Sequence, residues 1–204
     1  MAAAKPSYRM ERQIGGVVAG VDEAGRGPLA GPVVAAAVVL TAKRFPKGVC
    51  DSKQAPAELR EALFPRIMAC CAVGVGVCSV EEIDRINILR ASLLAMRRAL
   101  DALPLAPTAA LVDGNQPPDF PCPVTCVVEG DAKCLSIAAA SIVAKVTRDR
   151  MMRELALAHA GYGWETNFGY ATPEHRAALR RLGPTPLHRR SFAPVRELLQ
   201  VALF

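Results

Sequence analysis

The 204-residue chain is 51% hydrophobic with a formal charge of +6, enough apolar content to bury a core as one domain, or one domain with a small appendage, without staples. Its longest uncharged stretch, 27–42, holds two prolines and falls short of the roughly 20 residues a membrane span needs, while residues 1–13 lack the apolar run of a secretory signal, so a cytoplasmic protein is expected. Seven scattered cysteines with no Cys-x-x-Cys pair, beside three histidines, exclude a disulfide framework or structural zinc and read as reduced core residues.

From the N-terminus, Val17, Val18 and Val21 predict a buried strand ending in Asp22-Glu23, and Gly25, Gly27, Pro28, Gly31 and Pro32 turn the chain where the charges stand. Neighbouring carboxylates on a strand point to opposite faces, so both reach one point only if the backbone bends, which glycine permits. Such a pair is either an exposed turn or the start of a site for Mg²⁺ or Mn²⁺, hard cations that select oxygen. The Val/Ala run 32–40 predicts a second strand, forming a hairpin with the first around 25–31.

Lys53 precedes a helix that starts near Pro56, where a phosphate would meet the helix dipole; a plain surface lysine fits as well. A third strand is expected over 72–80, and then one helix from Ser79 to about residue 103. Ile83, Ile86, Leu89, Leu93, Met96 and Leu100 form its core stripe. The strand 109–112 ends in Asp113-Gly114-Asn115, and the strand 124–128 ends in Glu129-Gly130-Asp131. A helix rich in small residues runs from Asp131 toward 158, which puts Asp131 at or near its N-cap unless it serves as a ligand. An aromatic, glycine-rich loop covers 161–172, and short helices cover 173–182 and 193–201. Between these two lies His188-Arg189-Arg190-Ser191-Phe192, which suits either a phosphate contact or a structural clamp. From Arg148 onward nine arginines face five acidic residues, the imbalance expected of an end that meets an anionic partner such as nucleic acid.

Asp22, Glu23, Asp113 and Asp131 thus fall at strand ends or a helix start beside glycine. In a mixed sheet such ends can converge on one edge and hold two metals about 4 Å apart, the arrangement that activates water in phosphodiester hydrolysis. No serine or cysteine nucleophile with a paired base stands out.

The run Asp22-Glu23-Ala24-Gly25-Arg26-Gly27-Pro28-Leu29-Ala30-Gly31-Pro32-Val33 resembles the signature of bacterial ribonuclease HII. Asp51-Ser52-Lys53, Ile83-Asp84-Arg85-Ile86-Asn87-Ile88-Leu89, Val112-Asp113-Gly114-Asn115, Gly130-Asp131, the segment 136–150, Gly169-Tyr170-Ala171-Thr172 and His188-Arg189-Arg190-Ser191-Phe192 match family motifs in the same order, over nearly the whole chain. The resemblance implies an α/β fold, a ribonuclease H-like mixed β-sheet flanked by helices with a small helical C-terminal extension, divided as 1–160 and 161–204. It implies hydrolysis of the RNA strand of RNA–DNA hybrids and nicking 5′ of ribonucleotides embedded in duplex DNA, with Mn²⁺ or Mg²⁺, leaving 3′-hydroxyl and 5′-phosphate ends. The implied partners are those nucleic acids and no membrane, and a monomer is expected.

Residue by residue, the resemblance places the catalytic, metal-binding carboxylates at Asp22, Glu23, Asp113 and Asp131. Gly25, Arg26 and Gly27 match the loop that senses the ribose 2′-hydroxyl, Tyr170 matches the tyrosine that stacks on the next sugar, and Lys53 joins them in substrate binding. The chain departs from the family at Phe168, where lysine is common, and at Gln54-Ala55, where a basic residue and leucine are usual. A non-catalytic binding protein would lack one of the carboxylates. A resolvase or integrase-type nuclease would lack the Gly-Arg-Gly loop, and a nucleotide-cradling P-loop would need a following Lys-Ser/Thr.

Overall fold

Valine and alanine follow one another without charge along the second predicted strand, and the structure buries both of its faces. The computed structural model describes residues 5–41, 45, 48–49, 52 and 55–201. In chain order these form α1 (Arg9–Ile14), β1 (Val18–Ala24), β2 (Val33–Leu40), α2 (Ala57–Cys70), β3 (Cys71–Cys78), α3 (Val80–Ile86), α4 (Ile88–Asp101), β4 (Ala109–Asp113), β5 (Val124–Val127), α5 (Gly130–Lys133), α6 (Leu135–Ala158), α7 (Trp164–Asn167), α8 (Pro173–Leu182) and α9 (Ala193–Val201). The strands make one sheet in the order β3-β2-β1-β4-β5. β1, β2 and β3 are antiparallel neighbours, whereas β4 runs parallel to both β1 and β5.

Two-residue alternation sorts the sheet into two cores. Val33, Ala35, Ala37 and Val39 of β2 pack with Ala91, Ala95, Met96 and Ala99 of α4 on one face. Ala36 and Val38 pack with Leu63 and Ile67 of α2 and with Ala139, Ile142 and Val143 of α6 on the other. α6 lies so close to β1 that a Cβ on Gly20 would stand 2.2 Å from the Ser136 carbonyl carbon. The small residues of both elements are what allow that approach. A third cluster joins Leu29, Ala30, Met152 and Ala156 to Tyr162, Trp164, Leu179 and Val195, seating the C-terminal helices on the glycine-rich loop and the end of α6. Among the described residues no helix is long and apolar enough to cross a membrane, and the described cysteines are free.

Three expectations need correction. The helix from Ser79 is two helices, because Asn87 takes a left-handed conformation (φ 67°) and its side chain accepts the Arg90 N–H as a fresh N-cap. The turn at Asn87 rotates the second half, so Leu89 is exposed and Ala91, Ala95 and Ala99 take the core face. Asp131 is not the N-cap of the long helix: it sits in the separate turn α5, and the chain extends at Cys134 before α6 begins. The cap comes from a distant part of the sequence. Glu11 on α1 is buried, and its Oε1 accepts the Ser136 N–H at 2.8 Å and the Ser136 hydroxyl at 2.7 Å. Finally, the aromatic loop contains one helical turn, α7, started and ended by left-handed Gly163 and Phe168.

Candidate active site

The last register pair between β1 and β4 is Val21↔Val112, and both of those side chains belong to the α4 core. Alternation therefore puts the next residues, Asp22 and Asp113, side by side on the α6 face. Glu23 would face away, but the chain bends at once. Gly25 has φ 100°, and a Cβ there would come within 2.1 Å of Arg148 Nε, so only glycine fits. The bend brings Asp22, Glu23 and Asp113 into one cleft of about 350 Å³, lined also by Gly25, Arg26, Gly27, Ser52, Ser141, Lys145 and Tyr170.

Asp22 is 5% exposed. Burial, then the charge of Glu23, then that of Asp113, raise its carboxyl well above the ordinary range, while the Glu23 N–H and the Ser141 hydroxyl work the other way. The Glu23 N–H donates to Asp22 Oδ1 at 2.7 Å. Asp113 is fixed in a similar way, its Oδ1 accepting the Gly130 N–H at 2.7 Å. Glu23 meets the exposed Arg26 guanidinium at 3.4 Å, a long and solvated pair that counts for little. Asp131 is buried one residue beyond Gly130, next to the group that anchors Asp113, and is not part of the cleft lining.

The structure thus brings together three of the four predicted carboxylates with the Gly-Arg-Gly loop and Tyr170. Lys53 and Gln54 lie outside the described residues; Ser52 lines the cleft and meets Ser141 Oγ at 2.6 Å.

The sequence reading missed the α6 contribution. Ser141 and Lys145 stand one helical turn apart on the face toward the cleft, and Lys145 Nζ pairs with Asp149 at 2.8 Å. The same ammonium lies 5.0 Å from the Phe168 ring centre and 5.5 Å from that of Tyr170. The missed signal was charge, since Lys145, Arg148 and Asp149 interrupt an otherwise small and apolar helix. Arg148, fully buried, donates to the carbonyls of Pro32 at 2.9 Å, Phe168 at 3.0 Å and Ala30 at 3.1 Å. Arg189 is equally buried, with its guanidinium spent on carbonyls of the glycine-rich loop. The open choice at 188–192 is settled for this residue: Arg189 is a clamp. Asp84 completes the tie by accepting the N–H groups of Arg190 and Ser191 at 2.9 Å each.

Tyr170 is held from below. Its carbonyl lies 2.8 Å from His175 Nδ1, and His175 Nε2 lies 3.0 Å from Trp164 Nε1 and 3.2 Å from His188 Nε2. Since His188 Nδ1 accepts the Thr185 N–H at 3.0 Å, the remaining proton of His188 sits on Nε2 and that of His175 on Nδ1, pointing at Tyr170.

Among the described residues no three carboxylate, imidazole or thiol groups stand tightly enough together to hold an ion as placed. The donor set nonetheless fits a hard divalent cation: three oxygen-only side chains share one cleft, and the most buried of them is opposed by its neighbours' charge.

The family model described as Ribonuclease HII matches residues 19–195. A ribonuclease HII of Paramagnetospirillum magneticum is 60% identical over 198 residues, covering 95% of this chain and 98% of its own. The crystal structure of ribonuclease H2 from Pyrococcus horikoshii is 30% identical, with a TM-score of 0.75 over 90% of this chain and 97% of that one. Bst-RNase HIII, solved in complex with Mn²⁺, shares the fold at 24% identity, with a TM-score of 0.75 over 91% of this chain and 70% of its own. With a mixed five-stranded sheet flanked by helices and strand-end carboxylates at its edge, the chain belongs to the ribonuclease HII family, metal-dependent ribonucleases H that cleave RNA in RNA–DNA hybrids.

Proposed function

We propose that this cleft hydrolyses the phosphodiester bond on the 5′ side of a ribonucleotide, within a hybrid or alone in duplex DNA, leaving 3′-hydroxyl and 5′-phosphate ends. The observation that carries the reading is the juxtaposition of Asp22 and Asp113 on neighbouring parallel strands, with Glu23, in a cleft walled by Gly25, Arg26, Gly27 and Tyr170. Asp22, Glu23 and Asp113, backed by Asp131, would hold two divalent cations, Mn²⁺ or Mg²⁺, and these supply polarisation of the scissile phosphate and a lowered pKa for the attacking water. Lys145 presents a positive charge to the substrate backbone from the α6 wall. The loop of Gly25, Arg26 and Gly27 brings peptide groups close enough to test a single sugar for its 2′-hydroxyl, which is the group that separates RNA from DNA. Tyr170, 39% exposed and fixed through its own carbonyl, offers a stacking face to the adjoining sugar. Residues 161–204 act as a helical extension on the catalytic unit 1–160, and their part is to hold the loop and Tyr170 in place.

Duplex DNA carrying one ribonucleotide, incubated with protein and Mg²⁺ or Mn²⁺, tests the reading. The expected product is a single nick 5′ of that ribonucleotide with a 3′-hydroxyl end, and all-DNA duplex stays intact. A 2′,3′-cyclic phosphate would rule out water as the nucleophile, and equal cutting of all-DNA duplex would remove ribose recognition.

A further inference from the structure

The glycine-rich loop makes one side of the cleft, yet the groups that set its shape come from outside it. Arg189 donates from Nη2 to the Gly25 carbonyl at 2.6 Å and from Nη1 to the Arg26 carbonyl at 3.0 Å. Its Nε and Nη2 reach the Gly31 carbonyl at 3.0 and 2.8 Å, and Nη2 also reaches that of Pro32 at 3.2 Å. The guanidinium plane is itself held, with its carbon 5.1 Å from the Phe192 ring centre and the Arg189 N–H on the Leu29 carbonyl at 2.8 Å. In a planar trans peptide the C=O of one residue and the N–H of the next point in opposite directions. Drawing the carbonyls of Gly25 and Arg26 inward to Arg189 therefore turns the N–H groups of Arg26 and Gly27 the other way, toward the cleft these residues line.

We propose that Arg189 is the positioning residue for ribose recognition: its fork of donors fixes two peptide planes so that the Arg26 and Gly27 N–H groups face the sugar beside the scissile phosphate. The inference rests on the reading of this loop as the 2′-hydroxyl sensor and adds the cause of its geometry. Lysine cannot replace the residue. An ammonium has three donors on one atom, whereas the carbonyls here are spread along a rigid fork of five N–H groups, and arginine also suits a desolvated site better.

The test compares wild type with Arg189→Lys on a duplex containing one ribonucleotide and on all-DNA duplex, below the melting temperature of both proteins. The variant is expected to lose between about tenfold and a hundredfold in kcat/KM at the ribonucleotide, as a misplaced reading group does. Its affinity for all-DNA duplex should stay within about twofold, because phosphate contacts position the duplex without reading it. A merely structural arginine would lower the melting temperature and leave kcat/KM of the folded protein unchanged, and that result overturns the proposal. A parallel fall in affinity for both duplexes overturns it too, by making Arg189 a general binding residue. If wild type itself cuts both duplexes equally, the sensor reading fails, and the proposal with it. Should Arg189→Lys not fold, the wild-type amide resonances decide: Arg26 and Gly27 must shift on adding the ribonucleotide duplex and not on adding its all-DNA counterpart. Identical shifts, or none, overturn the proposal.

Discussion

The cleft and the floor beneath the glycine-rich loop both bury charge, and they do so in opposite ways. Asp22 loses water and gains two like-charged neighbours, Glu23 and Asp113, so its ionised form is disfavoured. Arg148 and Arg189 lose water as well, burial pulling the first down to about 10 and, with the charge of Arg148 added, the second to about 9. Yet their N–H groups end on the carbonyls of Gly25, Arg26, Ala30, Gly31, Pro32 and Phe168. A buried charge whose hydrogen bonds are met by the fold belongs to the scaffold. One whose charge its neighbours oppose without such a set of donors, as Glu23 and Asp113 oppose Asp22, is where the proposed cation and the phosphate it brings would supply the counter-charge.

The comparison breaks most visibly at the acids. Asp22→Asn or Asp113→Asn should lower turnover by more than the hundredfold or so that even an outer partner of a metal ligand can cost. The metal-free Asp22→Asn protein should nevertheless melt no lower than wild type, since the change removes a desolvated charge beside two others. Mn²⁺ should raise the melting temperature of wild type by mass action and that of the variant by much less. Turnover close to wild type, with a marked loss of stability, would make Asp22 a structural turn.

Arg148→Met should behave in the opposite sense. It leaves the carbonyls of Ala30 and Phe168 without their donor in a buried place, and that of Pro32 with only the longer 3.2 Å bond from Arg189. At about 1–3 kcal/mol for each unsatisfied group, partly relieved by relaxation, the loss should be on the order of 3–5 kcal/mol. Urea unfolding measures it. A neutral result would mean that the loop holds its shape without the clamp, and the contrast between the two regions would vanish.

The acid side of this contrast was legible in the sequence and the cationic side was not, for a physical reason. Strand-end carboxylates announce themselves by position: Asp22 and Asp113 follow apolar runs and precede glycine, so strand alternation and register are enough to place them together. Two guanidinium groups that between them reach six carbonyls leave no local pattern, because their partners lie up to 164 residues away. Arg189 therefore looked as much like a phosphate contact as a clamp. Asp84 shows the same limit, lying inside a readable motif while its partners, Arg190 and Ser191, lie in another. The helix break at Asn87 was missed because the apolar spacing of Ile83, Ile86 and Leu89 continues across it, and a left-handed asparagine leaves that spacing intact. Asp131 was placed near a helix start, as observed, but the residue that caps α6 is Glu11, supplied from a helix that the sequence did not signal.

The smallest expected effect concerns the third kind of buried titratable group, the neutral histidines under Tyr170. Burial first, then the proximity of His175 and His159, push His188 down from 6.5 to about 4. His175 is lowered too, chiefly by burial. A lowered folded value means that the unfolded chain takes up the proton first as the solution is acidified. The stabilisation is therefore complete above about 6.5 and is lost as pH falls through about 4, a span worth roughly 3 kcal/mol for His188. His188→Gln keeps an acceptor for the Thr185 N–H and a donor for His175, but cannot titrate. In chelator-treated protein, wild type should lose about 3 kcal/mol more than His188→Gln between pH 7 and pH 4, because carboxylate titrations common to both cancel in the difference. Parallel curves would mean that the pair accepts a proton without strain. Acid would then leave Tyr170 in place, held by its backbone bonds to Asn167 and Thr172 with no contribution from the proton arrangement on the histidines.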